Sequence, residues 1–284
     1  MCKLKEMKSI FDEVSLECSK ITTKAYSTSF TLGILFLNKR LRGPIYSIYG
    51  FVRLADEIVD SFHDYDKASL FASFRQATDE ALQHKISLNP VLNSFQAAVH
   101  RYQVRKEWIY TFLDSMEMDL HKHRYSEEEY KKYIFGSAEA VGLMCLHVFS
   151  EGDDKLFEHL KPYAMKLGAA FQKVNFLRDL QADNNELGRT YFPGLNLREF
   201  WQEQKRELER DIEHDLSEAM KGIKLLPASS RNGVYLAYYY FAVLLKKIKQ
   251  TPAHQLLTRR VRIPNFQKLL LMIRSNVRHQ LNLF

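Results

Sequence analysis

An all-α bundle is the fold class that this 284-residue chain predicts. Apolar residues recur at spacings of three and four nearly throughout, and strand-like alternation is absent over any useful length. Proline, glycine and polar clusters interrupt the pattern at intervals that suit moderately long helices.

The elements follow in order. A first helix covers roughly 6–25. Pro44, after Gly43, suits a first helical turn. From there Ile45, Ile48, Tyr49, Val52, Ala55 and Val59 form one apolar stripe. Breaks at Ser61–Asp66 and Ser87–Pro90 delimit helices over 67–84 and 90–102. Helices over 105–120 and 126–150 end at Glu151-Gly-Asp-Asp154. A long apolar segment, 162–186, precedes a loop at Gly188–Asn196. Helices over 196–221, 230–249 and 264–280 are parted by Leu226-Pro227 and Gln250-Thr-Pro252. Two patches of small residues, Gly136-Ser-Ala138 with Ala140 and Gly142, and Gly168-Ala-Ala170, permit close helix approach or leave room for a ligand.

No Gly/Ser-rich linker or fixed-period repeat divides the chain, so a single domain over 1–284 is expected. Cys2, Cys18 and Cys145 form no Cys-x-x-Cys pair, and an odd count gives no disulfide framework. A reducing cytoplasmic setting is the expectation. No signal peptide is expected from the lysine-broken N-terminus. The apolar stretch Val234–Leu245 is too short for a bilayer and reads as a buried helix. The net charge of +7 is uneven: residues 246–284 carry nine Lys/Arg and no Asp/Glu, leaving the remainder slightly acidic. That basic segment has three readings: a solvated face balancing acidic groups elsewhere, a contact with an anionic membrane surface, or nucleic-acid binding. With the excess confined to the tail, no nucleic-acid partner is expected.

Chemistry concentrates in two segments. Arg53-Leu-Ala-Asp56-Glu57-Ile-Val-Asp60 and Asn175-Phe-Leu-Arg178-Asp179-Leu-Gln-Ala-Asp183 each set two aspartates four apart in an apolar run. Four residues is about one helical turn, so each pair leaves one face. Gln172, Asn175, Asp179 and Asp183 share one stripe and all offer oxygen donors. Arg53 lies one turn before Asp56, and Arg178 adjoins Asp179. Four carboxylates lining a cavity need cations, for burying unpaired anions is very costly. Oxygen donors suit Mg²⁺, which takes one or two carboxylates and completes its shell with water and phosphate. A diphosphate ligand would bring such ions. Surface carboxylates with ordinary salt bridges are the bland alternative; the apolar residues flanking both pairs weigh against it. No Glu-x-x-His pair supports a di-iron centre, and no Gly-x-Gly supports a dinucleotide or P-loop site. His121 and His123, like the other histidines, are expected to be structural or solvated.

These residues resemble the squalene/phytoene synthase family. Tyr49-Gly-Phe-Val-Arg53-Leu-Ala-Asp56-Glu57-Ile-Val-Asp60 matches its first motif. Gln172-Lys-Val-Asn175-Phe-Leu-Arg178-Asp179-Leu-Gln-Ala-Asp183, continuing to Gly188-Arg189-Thr-Tyr191-Phe-Pro193, matches its second. Ser27-Thr-Ser29-Phe30 is similar to the diphosphate-contacting segment, and Tyr133–Gly142 to the central helix. Glu57, Phe135 and Glu139 depart from common family residues, and the last two bear on pocket shape.

The resemblance implies an isoprenoid synthase bundle with a central cavity, running from about residue 15 into the basic tail. It implies two or three Mg²⁺ ions, with Mn²⁺ as a substitute, at Asp56, Asp60, Asn175, Asp179 and Asp183. Arg53 and Arg178, with the aspartates, would serve catalysis. Arg189, Lys20 or Lys24 would add positive charge near the leaving group. Substrate contacts would come from Ser27, Ser29, Phe30, Tyr49, Arg53, Tyr133, Gln172, Asn175, Arg178, Arg189, Tyr191 and Tyr240, with the four tyrosines as cavity walls. The implied reaction joins two geranylgeranyl diphosphates head to head, through a cyclopropyl diphosphate, to phytoene in carotenoid biosynthesis. Farnesyl diphosphate with a squalene or dehydrosqualene product is the alternative, and NADPH enters only if squalene forms. A head-to-tail elongase or cyclase fits the first motif alone, and a non-catalytic assembly relative would have lost aspartates. Peripheral contact of the basic tail with the inner membrane surface is a further expectation.

Overall fold

Local signals set most helix ends. Asn89 caps the helix that starts at Pro90, accepting from the Val91 amide at 3.0 Å, where a missing proline N–H costs nothing. Asp66 accepts from Ser69 at the next helix up the chain. Ser126 and Glu129 close a capping box. Lys85, Gln103 and Glu151 end their helices with positive φ.

The structure is a computed structural model describing residues 2–185, 189–195, 200–264, 266–268, 270, 271 and 274, with the side chains of 2–6, 184 and 185 outside that description. Its helices are α1 (Cys2–Tyr26), α2 (Thr28–Leu35), α3 (Lys39–Ser61), α4 (Lys67–His84), α5 (Pro90–Tyr102), α6 (Lys106–Met118), α7 (Glu127–Ile134), α8 (Ala140–Ser150), α9 (Asp154–Asn185), α10 (Gln202–Leu225), α11 (Ala228–Lys249) and the short α12 (Ala253–Leu256). A π-helical turn, Phe135–Glu139, joins α7 to α8 without a break. Among the described residues there is no strand, only one isolated bridge between Arg124 and Thr190.

Several boundaries differ from the sequence expectation. Helix α2 was hidden because Ser27-Thr-Ser29 reads as polar loop; Ser27 is in fact its N-cap. Helix α3 starts at Lys39, capped by Asn38, so Pro44 lies inside it. Helix α9 starts eight residues before 162 and carries Pro162 internally. Helix α10 is displaced to Gln202–Leu225. The expected helix over 264–280 falls largely outside the described residues.

The core centres on α3, whose inward face stacks on its neighbours. Phe51 is fully buried and lies parallel to Phe95 of α5 at 3.8 Å. Burying one such side chain contributes about 1.5–3 kcal/mol. The span Glu127–Ser150 is long and apolar enough to cross a membrane by composition, yet it is mostly buried within the bundle. Both small-residue patches serve close approach. A Cβ on Gly136 would sit 2.5 Å from the Thr111 carbonyl, and one on Gly168 would sit 2.5 Å from the Ala138 carbonyl. A Cβ on Gly142 would likewise sit 2.9 Å from the Ala164 carbonyl, so α8 and α9 lie close.

Candidate active site

Helices α3 and α9 border a cavity of about 270 Å³. Its walls are almost wholly apolar, from Ile45, Ile48 and Val52 on α3, Val141 and Cys145 on α8, and Leu160, Leu167 and Phe171 on α9. Along α9 the lining runs from Asn175 back to Leu160, roughly 22 Å at 1.5 Å per residue. Such a shape suits an extended hydrocarbon chain. Polar groups gather at one end, where Tyr49, Gln172 and Asn175 line the cavity. Asn175 Oδ1 is buried there without a hydrogen-bond partner.

The two aspartate pairs flank this polar end. The Arg53 guanidinium pairs with both Asp56 and Glu57 and stacks over the Tyr26 ring at 4.2 Å. Arg178 holds Asp179 through Nε at 2.9 Å. Asp60 accepts from Arg189 Nη1 at 2.6 Å. Burial, followed by repulsion from Asp60, pushes the Asp56 carboxyl up to about 7. Burial, then Asp179 and Asp60, pushes Asp183 up to about 8. The influence of Asp60 on Asp183 ties the α3 pair to the α9 pair.

This donor set fits Mg²⁺. It is all oxygen, it is short of positive charge, and it contains an orphaned amide oxygen. The carboxylates of Asp56, Asp60 and Asp179 are 32%, 30% and 18% exposed, open enough for an ion to enter. Among the described residues no three His, Cys, Asp or Glu side chains converge on one point. That is compatible with Mg²⁺ held by one or two carboxylates and completed by phosphate oxygens.

Other expected residues separate into those at the cavity and those elsewhere. Ser27 caps α2; Ser29 lies half-buried in its first turn. Phe30 lines the cavity, its ring 5.5 Å from Tyr49 and 6.1 Å from Phe171. Among the described residues Tyr49 lines this cavity, while Tyr133, Tyr191 and Tyr240, also expected as walls, lie outside its lining. Tyr133 and Tyr191 instead stack with Tyr125 and Phe176. Tyr240 sits under Lys268, whose Nζ is 5.8 Å from the ring centroid. Lys20 turns to Glu17 at 2.8 Å, and Lys24 is exposed. Phe135 packs edge-on against Trp108 and Glu139 faces Lys166, Lys173 and Asp215. Neither shapes the cavity lining, contrary to expectation. Gly188 lies outside the described residues.

Two functional candidates escaped the sequence reading. Asp119, at the end of α6, is buried and accepts from Tyr125 Oη at 2.8 Å and Tyr133 Oη at 2.7 Å. Its backbone carbonyl accepts from Arg189 Nη2 at 2.9 Å. Burial raises its carboxyl to about 6 against the opposing pull of Arg189. The available signal was an aspartate between Met116, Met118 and Leu120, an apolar setting like that of Asp60. Arg260, in the basic tail, binds Asp179 through Nε at 2.6 Å and Nη2 at 3.1 Å. No local motif marks it out among the tail arginines.

The architecture is that of the helical isoprenoid synthases. A dehydrosqualene synthase solved in complex with ligand superimposes with a TM-score of 0.80 over 96% of this chain and 98% of that one, at 19% identity, a likeness of fold. The squalene/phytoene synthase profile matches residues 23–267, and the chain belongs to that family. It is 28% identical to 15-cis-phytoene synthase of Synechococcus elongatus over 280 residues, 89% of each chain. It is 27% identical to 4,4'-diapophytoene synthase of Staphylococcus haemolyticus over 195 residues, 66% of this chain and 65% of that one. The chain spans about three fifths of the length of several other curated relatives it matches.

Proposed function

We propose that this chain condenses two prenyl diphosphates head to head, taking geranylgeranyl diphosphate to phytoene. The observation that carries this reading is the pairing of two facing aspartate sets with an apolar cavity roughly 22 Å deep. Diphosphates belong at the aspartates and isoprenoid tails in the cavity. Asp56, Asp60, Asn175, Asp179 and Asp183 would hold Mg²⁺, or Mn²⁺ in its place. When bound, the metal neutralises diphosphate charge and eases departure of the leaving group.

The chain's own residues do the rest. Arg53 and Arg178 offer guanidinium donors to phosphate oxygens. The apolar walls keep water from the allylic cation that ionisation leaves. Phe30, Tyr49 and Phe171 present ring faces where that positive charge would develop. Attack by the second substrate's double bond then gives a cyclopropyl diphosphate, and a second ionisation, rearrangement and proton loss give the linear product.

The second reading uses farnesyl diphosphate, and the relative named 4,4'-diapophytoene synthase favours it. Incubation with Mg²⁺ and either C15 or C20 diphosphate, with and without NADPH, separates the two by product analysis. Failure of both to yield a head-to-head product overturns the function. The product would be a water-insoluble hydrocarbon, so the basic tail is proposed to rest on an anionic membrane surface. Pelleting with anionic liposomes tests this; equal binding by a tail-neutralised variant sinks it.

A further inference from the structure

Behind Asp60, away from the hydrocarbon cavity, lies a second cavity of about 250 Å³. Its lining includes His63, Lys67, His121, His123, Arg189 and Asp119. Their placement is a product of tertiary structure: the loop after α3 supplies His63, α4 starts with Lys67, the α6–α7 loop supplies both other histidines, and Arg189 follows α9.

Lys67 Nζ donates to the Val59 carbonyl at 2.9 Å and contacts His63 Nδ1 at 3.1 Å. Among the described residues it has no carboxylate partner. With the ammonium donating, His63 Nδ1 is the acceptor and its proton sits on Nε2, a further donor. Arg189 is held against the wall by Asp60, Tyr191 and the Asp119 carbonyl. The Asp119 carboxylate accepts from two tyrosine hydroxyls and lies 3.8 Å from Arg189 Nη1, a second counter-charge to that guanidinium. Burial and the Arg189 charge push the Lys67 ammonium below its usual value. The Arg189 charge is thus met by Asp60 and Asp119, while the Lys67 ammonium and the histidine N–H groups border a small polar space with donors left to offer an anion. A metal does not unite these histidines, since no three such side chains converge on one point among the described residues. The lining is also too polar for a prenyl tail.

We propose that this cavity is an oxyanion site that takes inorganic diphosphate on Lys67, His63, His121 and Arg189, separate from the aspartate-lined mouth. Diphosphate is named because the proposed reaction releases it, so the choice of anion rests on that reading; the basic cavity does not. Arg189 touches both places, which puts the released anion one side chain from Asp60.

The test is calorimetric titration of the full chain with inorganic diphosphate in EDTA, so that no metal recruits the anion to the aspartates. Saturable binding is expected. Lys67→Met should weaken it about tenfold or more and His121→Gln several-fold, while Lys67→Arg retains most of it and Arg178→Gln leaves it unchanged. Inorganic phosphate should bind more weakly than diphosphate. Vesicles containing phosphatidic acid should bind wild type and Lys67→Met alike, which separates the free anion from a lipid headgroup. Absence of binding by the wild type, equal binding by Lys67→Met, or loss confined to Arg178→Gln overturns the site. Circular dichroism of each variant confirms that it has folded. A chain without prenyl-condensing activity that still binds diphosphate through Lys67 would sink the proposed function and leave this site standing.

Discussion

Single residues carry the sharpest expectations. Asp179 is held by Arg178 and Arg260 and sits in the oxygen stripe of α9. Asp179→Asn should abolish turnover with little change in thermal stability; full activity would refute its role as a ligand. Asp119 differs, because its carboxylate satisfies two buried hydroxyls and faces Arg189. Asp119→Ala should cost about 3 kcal/mol or more, since it strands buried partners, and denaturant unfolding would measure it. The raised carboxyls also set a pH dependence. Asp56 and Asp183 ionise near 7 and 8 in the fold, against an ordinary value of about 3.8. Folding therefore favours their protonated forms, and stability in EDTA should fall as pH rises from about 4 to about 8. Metal needs the ionised forms, so stabilisation by Mg²⁺ should grow over pH 6 to 8. Melting curves with and without the ion check both slopes. The aspartate pairs and their arginines were legible because spacing and apolar flanks are local. Arg260 was not, because its partner lies 81 residues away, and the link from Asp119 to Arg189 spans 70.

At the scale of elements, the decisive contact is between α9 and the π-helical turn. Gly168 has no room for a side chain beside the Ala138 and Glu139 backbone. Gly168→Leu should push α9 outward, costing about 1–3 kcal/mol or more by overpacking and changing the cavity that Gly168 and Ala138 line. A lower melting temperature together with a shift toward shorter substrates would support this; an unaffected melt would refute it. Periodicity revealed the long helices because their buried faces repeat every three to four residues. It missed α2, whose eight residues offer little more than two turns. It also misplaced the starts of α3 and α9, where an internal proline looked like a boundary. In both, the helix runs through the proline, within long elements packed on both sides.

For the whole molecule, the aspartates stand at the polar end of the apolar cavity, so both belong to one proposed binding surface. A non-hydrolysable prenyl diphosphate analogue with Mg²⁺ at a hundred times its dissociation constant should stabilise the chain by about 2.7 kcal/mol. For a chain of this size that is about 4 °C in melting temperature; no rise would argue against the shared site. The sequence by itself determined the helical class, the two carboxylate stripes and the family they resemble. These follow from periodicities and spacings shorter than one helix. Tertiary structure alone decided which tyrosines line the cavity and which are spent on Asp119. It also decided that Arg189 stands between the aspartates and a basic pocket, and that the tail reaches Asp179. Those outcomes depend on which helix faces meet across long sequence separations, and no local pattern records that.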